Sequence, residues 1–216
     1  MERNIGDVPT GLTRRAATFV RMHGIRMDPL PLNEERDRWL AAGVPAEQID
    51  RVVDFEARWG GLVLPPSPVY DGGPRYLSAD VPTLESNGWC FEVGTQRSAI
   101  PYLFAIGPSG EFGLFGDGGW TALHRDIEGW IESIALARHA ALWADTIKVV
   151  RGIAVDDLNL QALEEIAEVQ GLWDTWWRGA DSLVAVYRGE AEVLRHPGAL
   201  KAVIYSGLDE WGLRGG

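Results

Sequence analysis

The chain has only one cysteine, Cys90, in 216 residues. An internal disulfide is therefore excluded, and with it the small, cross-linked secreted scaffold. Long apolar runs are also missing. The best candidate, Ile131 to Trp143, is broken by Glu132, Arg138 and His139, well short of the roughly 20 residues that a membrane-spanning helix needs. No charged stretch followed by an apolar one and a small-residue cleavage site opens the sequence, because Arg3, Asp7, Arg14 and Arg15 interrupt it. The cytoplasm is the expected compartment, with no membrane partner.

Catalytic signatures are absent as well. The four histidines, His23, His124, His139 and His196, are isolated, and none stands in an HExxH or CxxC arrangement. Spacing favours surface or capping roles for His124 and His139, so neither a metal nor a cofactor is expected. Without a GxSxG element, no Ser/His/Asp triad is indicated. The glycine-rich run Gly113 to Gly119 lacks the Lys-Ser/Thr ending of a phosphate loop and joins strand to strand, which makes it a hairpin turn. The pairs Asp156-Asp157 and Glu164-Glu165 read as solvated charge on a helix start and a polar helix face. Cys90, inside the apolar run Trp89 to Val93, reads as a buried, unreactive thiol. The protein is thus expected not to be an enzyme. An enzyme built from dispersed acids and histidines would need a convergent pocket that sequence alone cannot reveal.

What is present is a globular composition, 46% hydrophobic and 24% charged, with a net charge of −11. The charge is uneven: residues 1–43 carry seven arginines against six acids, whereas residues 151–216 carry six basic residues against eleven acids. An acidic body repels phosphate backbones, so no nucleic acid is expected, and a basic protein partner is favoured. Solubility alone would also account for the acidity.

Organisation follows from period and punctuation. A short helix is expected over Thr13 to Met22, stopped by Pro29-Leu30-Pro31. Asn33 caps the next, with Glu34, Glu35 and Asp37 in its first turn and Gly43 at its end. Pro45 opens a third, in which Ile49, Val52, Val53, Phe55, Glu56 and Trp59 follow at helical spacing up to Gly60-Gly61. From Leu62 the period shortens. Leu62 to Leu64, Trp89 to Val93, Tyr102 to Ile106, Glu111 to Phe115 and Trp120 to Leu123 have strand length, and tight turns between the last four require antiparallel pairing. Asp126 caps a long helix carrying Ile127, Trp130, Ile131 and Ile134, expected to cover one face of this sheet. In the last third an amphipathic helix is expected over Asp156 to Leu172, followed by strands at Leu183 to Tyr187, Ala191 to Leu194 and Ala202 to Tyr205. Three tryptophans, Trp173, Trp176 and Trp177, crowd together between them. If they share one helix turn they cannot all point inward, so at least one is expected to be partly exposed or packed under the C-terminal strands, with core packing favoured over a contact role. The fold class is α+β: an N-terminal arm (1–32), an antiparallel meander packed against helices (33–146) and a C-terminal α+β extension (147–216).

The segment Phe55-Glu-Ala-Arg-Trp-Gly-Gly-Leu-Val-Leu-Pro65 resembles the hallmark of the SUKH superfamily, a helix ending in aromatic-Gly-Gly before a short apolar strand and a proline. The meander and the helix Asp126 to Leu142 are similar to the rest of that domain, over roughly residues 33–143. That superfamily contains bacterial immunity proteins against polymorphic toxins and fungal regulators of cell-wall synthesis. The resemblance implies a toxin-neutralising protein with no catalytic residues, bound to a basic toxin domain such as a nuclease or deaminase. Trp59, Gly60, Gly61 and Pro65 would then be structural. The acids lying in or between the meander strands, Asp80, Glu85, Glu92, Glu111 and Asp117, are the candidate partner-binding residues. The alternative is a scaffold or regulator of the same fold that binds a housekeeping partner.

Overall fold

The computed structural model describes residues 8–29, 31–32 and 35–214, together with the backbone of residues 3–4. Helix α1 (Arg14–His23) starts where Thr13 accepts the Ala16 N–H at 3.1 Å. It leads into a small three-stranded sheet in which β1 (Arg3–Asn4) and β3 (Leu62–Val63) flank β2 (Ile25–Arg26). Helices α2 (Arg36–Ala41) and α3 (Ala46–Trp59) lie between. Asn33, Glu34 and Leu30, read from sequence as a helix cap, its first turn and part of a stop, lie outside the described residues.

The meander forms as expected. Strands β5 (Gly88–Glu92), β6 (Tyr102–Ile106), β7 (Phe112–Gly116) and β8 (Gly119–His124) pair in sequence order, all antiparallel. The glycine run over 113–119 is the β7–β8 hairpin, and Cys90 is buried in β5. One strand was not anticipated: β4 (Thr83–Glu85) pairs with β5 and extends the sheet to five strands.

Helix α4 (Ile127–Trp143) begins where the Asp126 carboxylate accepts the Gly129 N–H at 2.8 Å. It is apolar nearly all round, the composition of a helix surrounded by protein. It does more than cover one sheet. Trp130 stacks on Phe112 of the meander at 4.9 Å, while Ser133 accepts the indole N–H of Trp176 from a second sheet at 2.9 Å. Burying one such ring is worth about 3 kcal/mol.

That second sheet has five antiparallel strands in the order β10 (Glu164–Glu165), β11 (Asp174–Arg178), β12 (Ser182–Tyr187), β13 (Lys201–Ser206) and β9 (Thr146–Arg151). Two of its strands, β12 and β13, match expectation. The others correct it. No helix forms over 156–172; the chain runs through short 3₁₀ turns and β10 instead. The physical reason is that its apolar residues serve two cores. Leu158, Leu160 and Leu163 pack on a satellite cluster with Val184 and Leu200, whereas Ile166 and Val169 enter the main core. A single straight helix presents one stripe and cannot do both. The carboxylate pairs therefore lie on no long helix: Asp156 meets Arg188 at 2.9 Å and Glu164 meets Arg178 at 3.4 Å.

Residues 191–194 also depart from expectation, forming the end of helix α5 (Gly189–Val193) and its C-cap Leu194, not a strand. The Trp173–Trp177 cluster sits at and along β11, where successive side chains alternate between faces. Trp176 is fully buried, Trp177 half-buried, and Trp173 is 40% exposed, so one ring does face solvent. A short helix, α6 (Glu210–Arg214), ends the described chain against α4. One cluster of buried side chains runs from Ala16 to Leu208 and includes residues of both large sheets. The molecule is α+β, and no helix among the described residues is long and apolar enough to cross a membrane.

Candidate functional site

The helix-to-strand element at residues 55–65 builds the framework of a charged cleft. Helix α3 ends at Trp59, which is buried, and its last carbonyls are capped from outside. The Arg26 guanidinium donates to the Gly60 oxygen at 3.1 Å and to the Arg58 oxygen at 2.9 Å, placing a cation where the helix dipole favours one. Gly61 follows with φ +74, and a Cβ there would stand 2.2 Å from the Met27 carbonyl oxygen. Only glycine allows that approach. Pro65, half-buried, leaves the strand beyond it.

From this framework the segment 74–80 is hung residue by residue. The Leu77 N–H donates to the Leu62 oxygen and its own oxygen accepts the Gly61 N–H, both at 2.8 Å. The buried Glu56 carboxylate then accepts the Ala79 N–H at 2.7 Å. On its other side the segment pairs with the end of β5: the Arg75 N–H reaches the Thr95 oxygen at 2.8 Å and the Asp80 N–H the Glu92 oxygen at 3.1 Å. Gly94 (φ +106) lets the Tyr76 oxygen come within 2.1 Å of where a Cβ would be. The outcome is that Asp80 and Glu92 are held side by side at a cleft rim.

The cleft has a volume of about 370 Å³. Glu35, Arg38 and Trp39 line one side, and Tyr76, Asp80 and Glu92 the other. Glu35 and Arg38 form an ion pair at 2.5 Å, one helical turn apart. The buried indole N–H of Trp39 finds no acceptor among the described residues. The Glu92 carboxyl is raised above its ordinary range, chiefly by desolvation and next by the neighbouring Asp80. Chemically, the arrangement is suited to receiving a cationic donor group.

The structure separates the remaining candidate acids. Glu85 ends β4 at its hairpin turn with β5. Glu111 precedes β7, accepting the Ser109 N–H at 3.0 Å, and the exposed Asp117 lies in the β7–β8 turn. Those two stand at opposite ends of one strand, roughly 20 Å apart at the usual rise per residue. Glu35, Arg38, Trp39 and Tyr76 were not singled out from sequence. Glu35 reads there as a first-turn charge, and nothing local says that it faces a segment some 45 residues later.

A second polar cluster lies buried between the sheets. Asp174, fully buried, accepts the Tyr70 hydroxyl at 2.6 Å on one oxygen and the N–H groups of Arg188 (3.0 Å) and Gly189 (3.2 Å) on the other. Burial pushes its carboxyl up to about 7, against the opposing pull of those hydrogen bonds. Tyr102 donates to Glu190 at 2.9 Å nearby. His124, expected at the surface or in a capping role, is fully buried beneath Trp130. Its Nδ1 meets the Val169 oxygen at 2.9 Å, its Nε2 is unpartnered among the described residues, and desolvation lowers it to about 4. It is buried because residues 169–172 bond back onto the end of β8, through Leu172 N–H to the Leu123 oxygen at 2.9 Å and Arg125 N–H to the Gln170 oxygen at 3.0 Å. This cluster joins the two halves of the molecule and has no opening to solvent at Asp174 or His124.

Among the described residues, no three His, Cys, Asp or Glu side chains come together as a metal site. The chain matches no protein-family model, no curated protein and no solved structure.

Proposed function

We propose that the protein is a non-catalytic binding module whose acidic cleft receives a basic surface of a partner protein. The partner we favour is a toxin domain, neutralised when its active groove is covered, as the SUKH resemblance implies. One observation carries the reading: Asp80 and Glu92 are held beside each other by backbone bonds, with Glu35 across the same cleft. Adjacent carboxylates repel and Glu92 is partly desolvated; an arginine or lysine from a partner would relieve both penalties. The net charge of −11 would speed encounter with such a partner and make the complex salt-sensitive.

The test is co-expression with a toxin domain encoded beside the gene, scored by growth, with affinity measured on the purified pair. The intact protein should protect. Combined Asp80→Lys and Glu92→Lys substitutions should weaken binding by about 100-fold and abolish protection. Undiminished protection by that double variant would remove the cleft from the interface, and failure to bind any neighbouring toxin would remove the immunity role. Reproducible co-purification with a housekeeping protein, lost in the same double variant, would keep the cleft and change the partner.

A further inference from the structure

The strongest departure from the acidic character of the molecule lies between α1 and α4. A groove of about 280 Å³ runs there, lined by three arginines (Arg14, Arg15, Arg138) and two histidines (His23, His139), with no aspartate or glutamate among its described lining residues. Arg15 is engaged by the buried Glu132 at 2.5 Å. Arg14 and Arg138 form no ion pair among the described residues; the Arg138 Nε donates instead to Nε2 of His23 at 3.3 Å, a contact that requires a neutral imidazole. Two of these arginines open α1, where the helix dipole disfavours positive charge and no acid stands in the first turn. Helix stability does not explain that choice.

The groove is also apolar at its walls and unusually exposed. Met22 is 69% exposed, Leu142 71% and Trp211 53%. The residues of α4 that line it, Ala135, Arg138, His139 and Leu142, recur at i, i+3, i+4 and i+7, which is one face of a helix. A neighbouring hollow of about 270 Å³ shares Phe19, Arg138 and Leu142 and prolongs the groove toward Pro65 and Pro68. Two helix stripes bounding a trough that mixes apolar and cationic side chains form a seat into which a third helix can pack.

We propose that the α1–α4 groove docks an acidic amphipathic helix of a partner protein, with apolar side chains laid over Phe19, Met22, Leu142 and Trp211 and carboxylates paired with Arg14 and Arg138. Charge selects the occupant. In a chain with 31 acids against 20 basic residues, a cationic trough that excludes acids is complementary to a negatively charged, apolar surface. Its open, concave form suits a helix better than a small amphiphile, which would need enclosure, or a flat bilayer. This site is separate from the acidic cleft and does not depend on the reading given to it.

The test uses the full chain and a fluorescein-labelled helical peptide of about 16 residues, leucine on one face at helical spacing and glutamate elsewhere, followed by fluorescence anisotropy. Saturable binding is expected, weakened several-fold when salt is raised from about 0.05 to about 0.5 M. Arg138→Glu and Arg14→Glu, both at exposed positions, should each weaken it by about tenfold, and Leu142→Asp similarly, with unchanged circular dichroism and melting. No saturation up to about 1 mM peptide would overturn the proposal. So would equal binding of the same peptide with lysine in place of glutamate, or an affinity untouched by both charge reversals. Binding to phosphatidylglycerol vesicles or to dodecanoate, with none to the peptide, would reassign the groove to lipid.

Discussion

Two aspartates cap helices in the two halves of this molecule, by different means. Asp126 precedes α4 and bonds the Gly129 N–H three residues on, at the half-buried edge of the meander. Asp174 caps α5 from 14 and 15 residues away in sequence, from a core-facing position on β11, and holds Tyr70 as well. The first cap is a local device worth about 1 kcal/mol. The second is a long-range bond to a fully buried carboxylate. One cap is thus closed by neighbours in sequence, and the other by partners that only the folded chain brings together.

The largest expected effect breaks the remote cap. Asp174→Ala leaves the Tyr70 hydroxyl and two N–H groups without their acceptor in a buried site and opens a small void, at a cost of about 4 kcal/mol. Chemical denaturation at pH near 5 is the measurement. A loss under about 1 kcal/mol would mean that water or another group replaces the carboxylate. Asp126→Ala should cost about 1 kcal/mol in the same experiment, and the gap between the two measures how unequal the halves are.

Protonation sharpens the comparison. The folded state keeps a proton on Asp174 up to about 7, whereas the unfolded chain releases it near 3.8, so this residue makes stability fall as pH rises across that window. His124 acts in the opposite sense. Its folded value of about 4 lies below the unfolded 6.5, so the unfolded chain gains a proton that the folded one refuses, and stability falls as pH drops from 6.5 toward 4. Asp174 contributes about 4 kcal/mol across its range and His124 about 3 kcal/mol. Melting curves from pH 4 to 8 should show Asp174→Asn gaining on the parent protein as pH rises, and His124→Asn gaining on it as pH falls. Flat difference curves would show that neither group is as desolvated as its surroundings demand.

The same contrast explains what the sequence could tell. Helix α3, the strands β5 to β8 and α4 are written in adjacent residues: Pro45 before a periodic run, tight glycine turns between aromatic strands, Asp126 before Ile127. The stretch 156–172 carries helical spacing too, yet Leu163 and Ile166 belong to different cores, and a pattern counted along the chain does not show which core each residue joins. Residues 191–194 read as a strand, and only the folded chain brings Asp174 to the start of the helix that contains most of them. At the candidate site, Asp80 and Glu92 could be named as charged residues of the meander. Their adjacency could not, because it depends on Glu56 and Gly61 holding the segment 77–80 in place. His124 reads as a surface or capping residue because the turn that buries it, residues 169–172, comes some 45 positions later.

The smallest effect concerns the tryptophans of the second sheet. Alternation along β11 turns Asp174 and Trp176 toward α4 and leaves Thr175 and Trp177 on the other face, where the Trp177 indole donates to the Thr175 hydroxyl at 3.0 Å. Trp173 lies just outside the strand, 40% exposed, so removing it should cost far less than removing the fully buried Trp176. Trp173→Ser is expected to change stability by about 0.5 kcal/mol or less, whereas Trp176→Phe, which strips Ser133 of its indole donor and thins the stack on Tyr205, should cost about 2 kcal/mol. Denaturation of the two variants side by side decides it. A Trp173 variant as damaged as the Trp176 one would mean that the outer ring is covered in solution, and that the edge of the second sheet carries an interface of its own.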